Sequence, residues 1–197
     1  LKLAIFVSKY DHCLRDILYR HSMGEFDADI PLIISNHKEM EKIADRYSIA
    51  FHYFPIDKEN KAAQEAAELK LLEDHQIHTI ILARYMQILS PEFVARYPNR
   101  IINIHHSFLP AFAGGRPYHQ AHARGVKLIG ATAHYATRDL DEGPIITLEV
   151  APVNHSHTPE KMQLMGQIDK QTDKQTDGKG DSMTKWAQWG LSPSKKR

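Results

Sequence analysis

The chain has 197 residues, a length that suits one α/β domain with a short appendage and buries enough core to need no disulfide or structural metal. Its 25 basic and 24 acidic side chains leave a formal net charge of +1, which gives no electrostatic ground for nucleic acid or an anionic membrane as a partner. Cys13 is the only cysteine, so an intrachain disulfide is excluded and a reducing, cytoplasmic setting is the natural reading. Apolar stretches such as Thr79–Ala83 are too short for a bilayer, and residues 2–7 lack the flank and cleavage site of a signal peptide.

The chain starts at Leu1 without an initiator Met and goes straight into an apolar run, so an N-terminal segment is expected to be missing. Lys2–Val7 (KLAIFV) has the continuous apolar pattern of a strand buried on both faces. Cys13–Tyr19 places Leu14, Ile17 and Leu18 at i, i+3, i+4, an amphipathic helix. Ile30–Ile34 reads as a second strand, with Ser35-Asn36 capping a helix through Met40, Ile43 and Ala44. Phe51–Phe54 is a short strand, and Lys58–Asp74, rich in Ala, Glu, Leu and Lys, is a helix. Thr79–Ala83 and Ile101–His105 are further strands. Strands alternating with helices at this spacing predict a doubly wound, mostly parallel Rossmann-like sheet, with a ligand site at the carboxyl ends of its central strands.

Beyond this point the pattern changes. Ser107–Tyr118 holds two prolines and two glycines and is expected to be an ordered loop. Leu128–Ala136 and Pro144–Val153 are strand-like, with Thr137–Gly143 as a loop between them. The catalytic domain is expected to span residues 1–165. Residues 166–197, with the small repeat DKQTDKQTD, have the composition of a poorly ordered polar tail.

Two short motifs bear chemistry. Alternation along a strand puts Asn103 and His105 on one face, where an amide and an imidazole suit an oxyanion hole. Taken alone, such a pair more often describes an Asn capping a turn and a His satisfying a backbone carbonyl. The second motif, Gly130–His134 followed by Leu140-Asp141-Glu142-Gly143-Pro144, fixes a carboxylate in a tight loop. Asp141 there suits orienting an imidazole and accepting a proton from water; taken alone, a turn Asp is the commoner case. Thirteen histidines invite a zinc reading at His155-x-His157 or His105-His106, but no Cys, Asp or Glu stands at a recognised ligand spacing, so no metal is expected.

INIHHSFLP (Ile102–Pro110) and GATAHYATRDLDEGPI (Gly130–Ile145) strongly resemble the folate-dependent formyltransferase superfamily. IFVSKYDHCLRDILYR (Ile5–Arg20), LARYMQILSPEFV (Leu82–Val94) and PAFAGGRPYHQA (Pro110–Ala121) look most like its formyltetrahydrofolate deformylases. The resemblance runs from about Lys2 to about Met162.

It implies a catalytic triad of Asn103, His105 and Asp141 that hydrolyses 10-formyltetrahydrofolate to formate and tetrahydrofolate, with no cofactor beyond the folate substrate. It also implies a folate-binding stretch at Tyr85, Met86, Gln87, Ile88 and Leu89. The loop Thr137–Gly143, with Arg138, Leu140 and Glu142, would close the other side. His134, on a strand beside the site, would orient Asp141 or the loop. On residue type alone, Met86, Ile88 and Leu89 read as ordinary core.

The turn after the first strand, Ser8-Lys9-Tyr10-Asp11-His12, is bulky and carries an acid, unlike the Gly-rich cradle that a phosphoribosyl acceptor needs. Water is therefore the expected acceptor. The alternatives are transfer to an amine acceptor and an inactive folate-binding module. The N-terminal ACT-type domain common in the family is expected to be absent. An exposed sheet edge or a missing covering helix would favour a homo-oligomer.

Overall fold

The computed structural model describes residues 1–105, 107, 109 and 116–168. The strands are β1 (Lys2–Val7), β2 (Asp29–Ser35), β3 (Ala50–Tyr53), β4 (Thr79–Ala83), β5 (Ile101–His105), β6 (Leu128–Tyr135) and β7 (Ile145–Pro152). The helices are α1 (His12–Ser22), α2 (Glu41–Arg46), α3 (Lys61–Asp74), α4 (Pro91–Arg96), α5 (Pro117–Ala123) and α6 (Pro159–Ile168). The strands hydrogen-bond in the order β3-β2-β1-β4-β5-β6-β7. Pairings β1–β2, β1–β4, β2–β3 and β4–β5 are parallel, and β6–β7 is antiparallel. This is the mostly parallel α/β sheet that the alternation of elements predicts.

The chain divides into two compact units. The first comprises Leu1–Asn103 and Tyr135–Asp139. Its core forms because β1 from Leu3 onward and β4 from Ile80 onward are apolar and buried at every position and so pack on both faces. One layer holds Ala4 and Phe6 of β1, Leu32 and Ile34 of β2, Ile80 and Leu82 of β4, and Leu72 and Phe93 from α3 and α4. Phe6 is the aromatic centre of this layer. Its ring meets Tyr85 edge-on at 5.2 Å and Phe93 at 6.0 Å, the arrangement that aromatic quadrupoles favour. The strand order reverses between β1 and β4 in this unit, which opens a crevice at their carboxyl ends.

The second unit comprises Ile104–His134 and the chain from Leu140 onward. Tyr118 and Ala121 of α5, Ile129 of β6, Ala151 of β7, Val153 and Met162 of α6 form its core. Thr132, fully buried on β6, bonds its hydroxyl to the Ser107 carbonyl at 2.7 Å and accepts the Leu109 N–H at 3.1 Å.

Several boundaries differ from those the sequence predicts, each for a local reason. The helix expected from Lys58 starts at Lys61, because Asp57 accepts the N–H groups of Glu59 and Asn60 and holds that turn outside the helix. Ser35 and Asn36 do not cap α2: Ser35 Oγ takes the His37 N–H, Asn36 Oδ1 takes the Ser8 hydroxyl, and a 3₁₀ turn over Lys38–Met40 leads into the helix. The expected loop ends sooner than its composition implies, since Pro117 and Tyr118 already belong to α5. Helix α4 follows a sequence signal passed over above, Ser90 capping the Phe93 N–H with Pro91 at the first helical position. His106, residues 110–115 of the loop and the expected polar tail beyond residue 168 lie outside the described residues.

Candidate active site

In the first unit the segment after β4 is pinned at the crevice by contacts at its start, middle and end. The Met86 N–H donates to Ser8 Oγ at 2.8 Å, and the Ser8 hydroxyl donates onward to Asn36 Oδ1 at 2.7 Å. The Ser8 N–H itself donates to the Arg84 carbonyl at 3.3 Å. From α3, Lys61 Nζ reaches the Ile88 carbonyl and Glu65 Oε1 accepts the Ser90 N–H at 3.0 Å. Arg84 adopts a left-handed φ of +59°, which turns the chain out of β4 and lays its guanidinium over the Tyr10 ring. The outcome is a segment with a held backbone and displayed side chains: Met86 is 57% and Ile88 61% exposed, while Tyr85 is buried. Exposed apolar groups on a fixed backbone at a strand's carboxyl end suit a flat, partly apolar ligand.

In the second unit His105, His134 and Asp141 come together. His105 ends β5 and His134 lies near the end of β6. Asp141 Oδ1 is 3.4 Å from His105 Nδ1 and 3.7 Å from His134 Nε2, and all three side chains are less than 10% exposed. The two imidazoles stand 6.5 Å apart, centroid to centroid, at 66°. Asp141 holds a φ of +60°, a region that Asp tolerates better than most side chains and that clusters at functional sites. A carboxylate wedged against two buried imidazoles can fix a ring's tautomer and orientation, and can also take up a proton.

Comparison with known proteins gives this arrangement a lineage. Residues 1–173 match the formyl transferase family. The chain belongs to that family. It is 62% identical over 154 residues to a formyltetrahydrofolate deformylase of a Synechocystis strain, covering 78% of this chain and 54% of that protein. Among solved structures, a formyltetrahydrofolate deformylase from Burkholderia mallei is 55% identical with a TM-score of 0.80, covering 84% of this chain and 59% of that one. A glycinamide ribonucleotide transformylase from Symbiobacterium toebii reaches the same TM-score at 30% identity, covering 86% and 81%. The chain spans about half the length of the curated relatives it matches.

For this formyl transferase chain, the remaining residues singled out from sequence are placed as follows. Asn103 is partly buried on β5 in register with Leu82 of β4. Gln87 and Leu89 are half-buried in the pinned segment, and Leu89 packs against the first unit's core. Arg138, Leu140 and Glu142 are exposed. Among the described residues, no group of three or more His, Cys, Asp or Glu is arranged to hold a metal ion.

Sequence reading missed the groups that hold the segment: Ser8, Asn36, Lys61 and Glu65. Ser8 carries a faint signal, as a polar residue closing an apolar strand at a predicted ligand-binding end. The glutamates of α3 carry none, because in a helix rich in Ala, Glu and Lys they look like its solvent face.

Proposed function

We propose that this chain is the catalytic part of a cytoplasmic enzyme that hydrolyses 10-formyltetrahydrofolate to formate and tetrahydrofolate, feeding one-carbon and purine metabolism. The observation that carries the reading is the buried contact between Asp141 Oδ1 and His105 Nδ1, with His134 on the same oxygen. Names of relatives at high identity support it.

The reaction breaks an amide-like C–N bond. Water adds its oxygen to the formyl carbon as Asp141 takes one of its protons. The formyl oxygen becomes an oxyanion, which Asn103 and His105 stabilise by donation. The C–N10 bond then breaks as the proton taken by Asp141 passes by way of His105 to N10, and formate leaves with its remaining acid proton released to solvent. The 3.4 Å His105–Asp141 separation is longer than a tight hydrogen bond, as is common before substrate closes a site. The family resemblance assigns the pterin to Tyr85, Met86, Gln87, Ile88 and Leu89, and further substrate contacts to Arg138, Leu140 and Glu142. The folate is the substrate, and the chemistry draws on no further cofactor.

Water rather than a phosphorylated amine is the acceptor in this reading, because the turn after β1 is bulky and acidic and its first N–H is already given away. A phosphate cradle needs free backbone N–H groups converging on one point. Here the Ser8 N–H is given to Arg84 and the Ser8 hydroxyl to Asn36. The test is formate release by the 197-residue chain with water alone and with glycinamide ribonucleotide added. Release independent of the amine supports hydrolysis, and acceptor-dependent turnover refutes it. Asp141→Asn should abolish turnover and leave folate affinity nearly intact; unchanged turnover would remove Asp141 from the mechanism.

A further inference from the structure

Helix α3 buries an unusual stripe. Its inward residues are Glu65, Glu68 and Leu72, with Glu68 at 0% exposure. Two carboxyls one helical turn apart in an apolar layer need a reason, since burial of each disfavours its charge and each disfavours the other's. The two are partnered differently. Glu65 accepts the Ser90 N–H at 3.0 Å and lies 3.8 Å from the Lys61 ammonium, the surroundings of a carboxylate. Glu68 has the Tyr85 hydroxyl at 3.5 Å from Oε1, and its Oε2 is buried without a hydrogen bond. Among the described residues, no cation offsets it. Burial first, and the neighbouring Glu65 second, push the Glu68 carboxyl up to about 8, against a smaller opposing pull from the Tyr85 hydroxyl. At neutral pH it is an acid.

The partners of these glutamates are the two ends of one segment. Tyr85 opens the stretch after β4 and Ser90 closes it, while Lys61, one turn before Glu65, holds the Ile88 carbonyl between them. The exposed Met86 and Ile88 stand on the backbone that this row of α3 side chains supports from beneath.

We propose that Glu65 and Glu68 form a brace under the Tyr85–Ser90 segment, with Glu68 as a positioning residue that sets substrate affinity without touching substrate. This rests on the reading of that segment as the folate-binding stretch. Ionising Glu68 places a second negative charge beside the carboxylate that holds Ser90 and drives the brace apart, so affinity falls in alkali. The titratable groups bearing on Glu68 are Glu65 on its own helix and Tyr85 from the segment. Lys61 pairs with Glu65. Tyr97, at the end of α4 in the same core, has Arg100 and Arg96 as its charged neighbours. From β1 the packing group is the apolar Phe6.

The test is steady-state formate release from 10-formyltetrahydrofolate by the full chain between pH 6.5 and about 9.5. Glu68→Ala should raise KM about tenfold, the scale of one lost buried hydrogen bond, with kcat within about twofold. Glu68→Gln, which keeps the shape and cannot ionise, should restore the neutral-pH KM and abolish the alkaline rise in KM shown by the parent chain. The brace is overturned if Glu68→Gln keeps that alkaline rise, if the parent shows none, or if Glu68→Ala lowers the melting temperature with KM unchanged. Met86→Ala and Ile88→Ala serve as controls. If they raise KM and the Glu68 variants do not, only the brace falls. If neither control moves KM, the segment is not the binding stretch and the brace falls with that reading.

Discussion

Replacing Glu68 by Gln should stabilise the fold at neutral pH, and the size of the effect follows from the carboxyl's surroundings. Its ordinary value of 4.5 is raised to about 8 in the folded chain. Below pH 4.5 both folded and unfolded chains hold the proton and no penalty exists. Between 4.5 and 8 the unfolded chain has released it while the folded chain keeps it, so stability falls steadily as pH rises. At about 1.4 kcal/mol per unit, the loss is about 3 kcal/mol at pH 7 and about 5 kcal/mol once the folded carboxyl also ionises. That is a large share of the 5–15 kcal/mol that is typical of a domain. Glutamine has nearly the same volume and no proton to lose. Urea midpoints by circular dichroism, from pH 5 to about 9, should therefore diverge for the two proteins, the variant being more resistant at high pH and matching the parent near pH 4.5. Parallel curves across that range would refute the argument, because they would mean that Glu68 ionises as readily in the core as in water.

Two further predictions concern the proposed chemistry and the core. Asn103→Ala should lower kcat by about 10² to 10³, near 3 kcal/mol of barrier, with little change in folate affinity measured by fluorescence titration; a kcat within threefold of the parent would remove Asn103 as an oxyanion donor. Phe93→Ala empties a fully buried site against Phe6 and should cost about 3–5 kcal/mol in urea unfolding, whereas a cost below 1 kcal/mol would mean that the ring is not packed as described.

Most of the first unit is legible in its sequence because its strands are buried on both faces. Lys2–Val7 and Thr79–Ala83 read as apolar runs and Ile101–His105 as a further strand, and all three are strands with those same limits. The boundaries that moved are those where a side chain competes for backbone groups. Asp57 does so before α3, and Ser35 and Asn36 before α2. Helix α4 escaped notice because six residues are too few for periodicity, although its cap is written in Ser90-Pro91.

The candidate site divides along a different line. Strand alternation places Asn103 and His105 on one face of β5, but nothing local in the sequence joins His105 to Asp141. Only the family resemblance does, and the 3.4 Å contact agrees with it. The glutamates of α3 were illegible for the opposite reason. Sequence patterning assigns charge to the solvent face, a rule that fails where a charged or acidic group is held by backbone donors or kept neutral by burial. Glu65 meets the first condition through Ser90 N–H, and Glu68 the second through its raised carboxyl. Such violations of the apolar pattern concentrate where a fold is bent to a purpose. In this unit they stand under a segment whose Met86 and Ile88 side chains face outward on a held backbone.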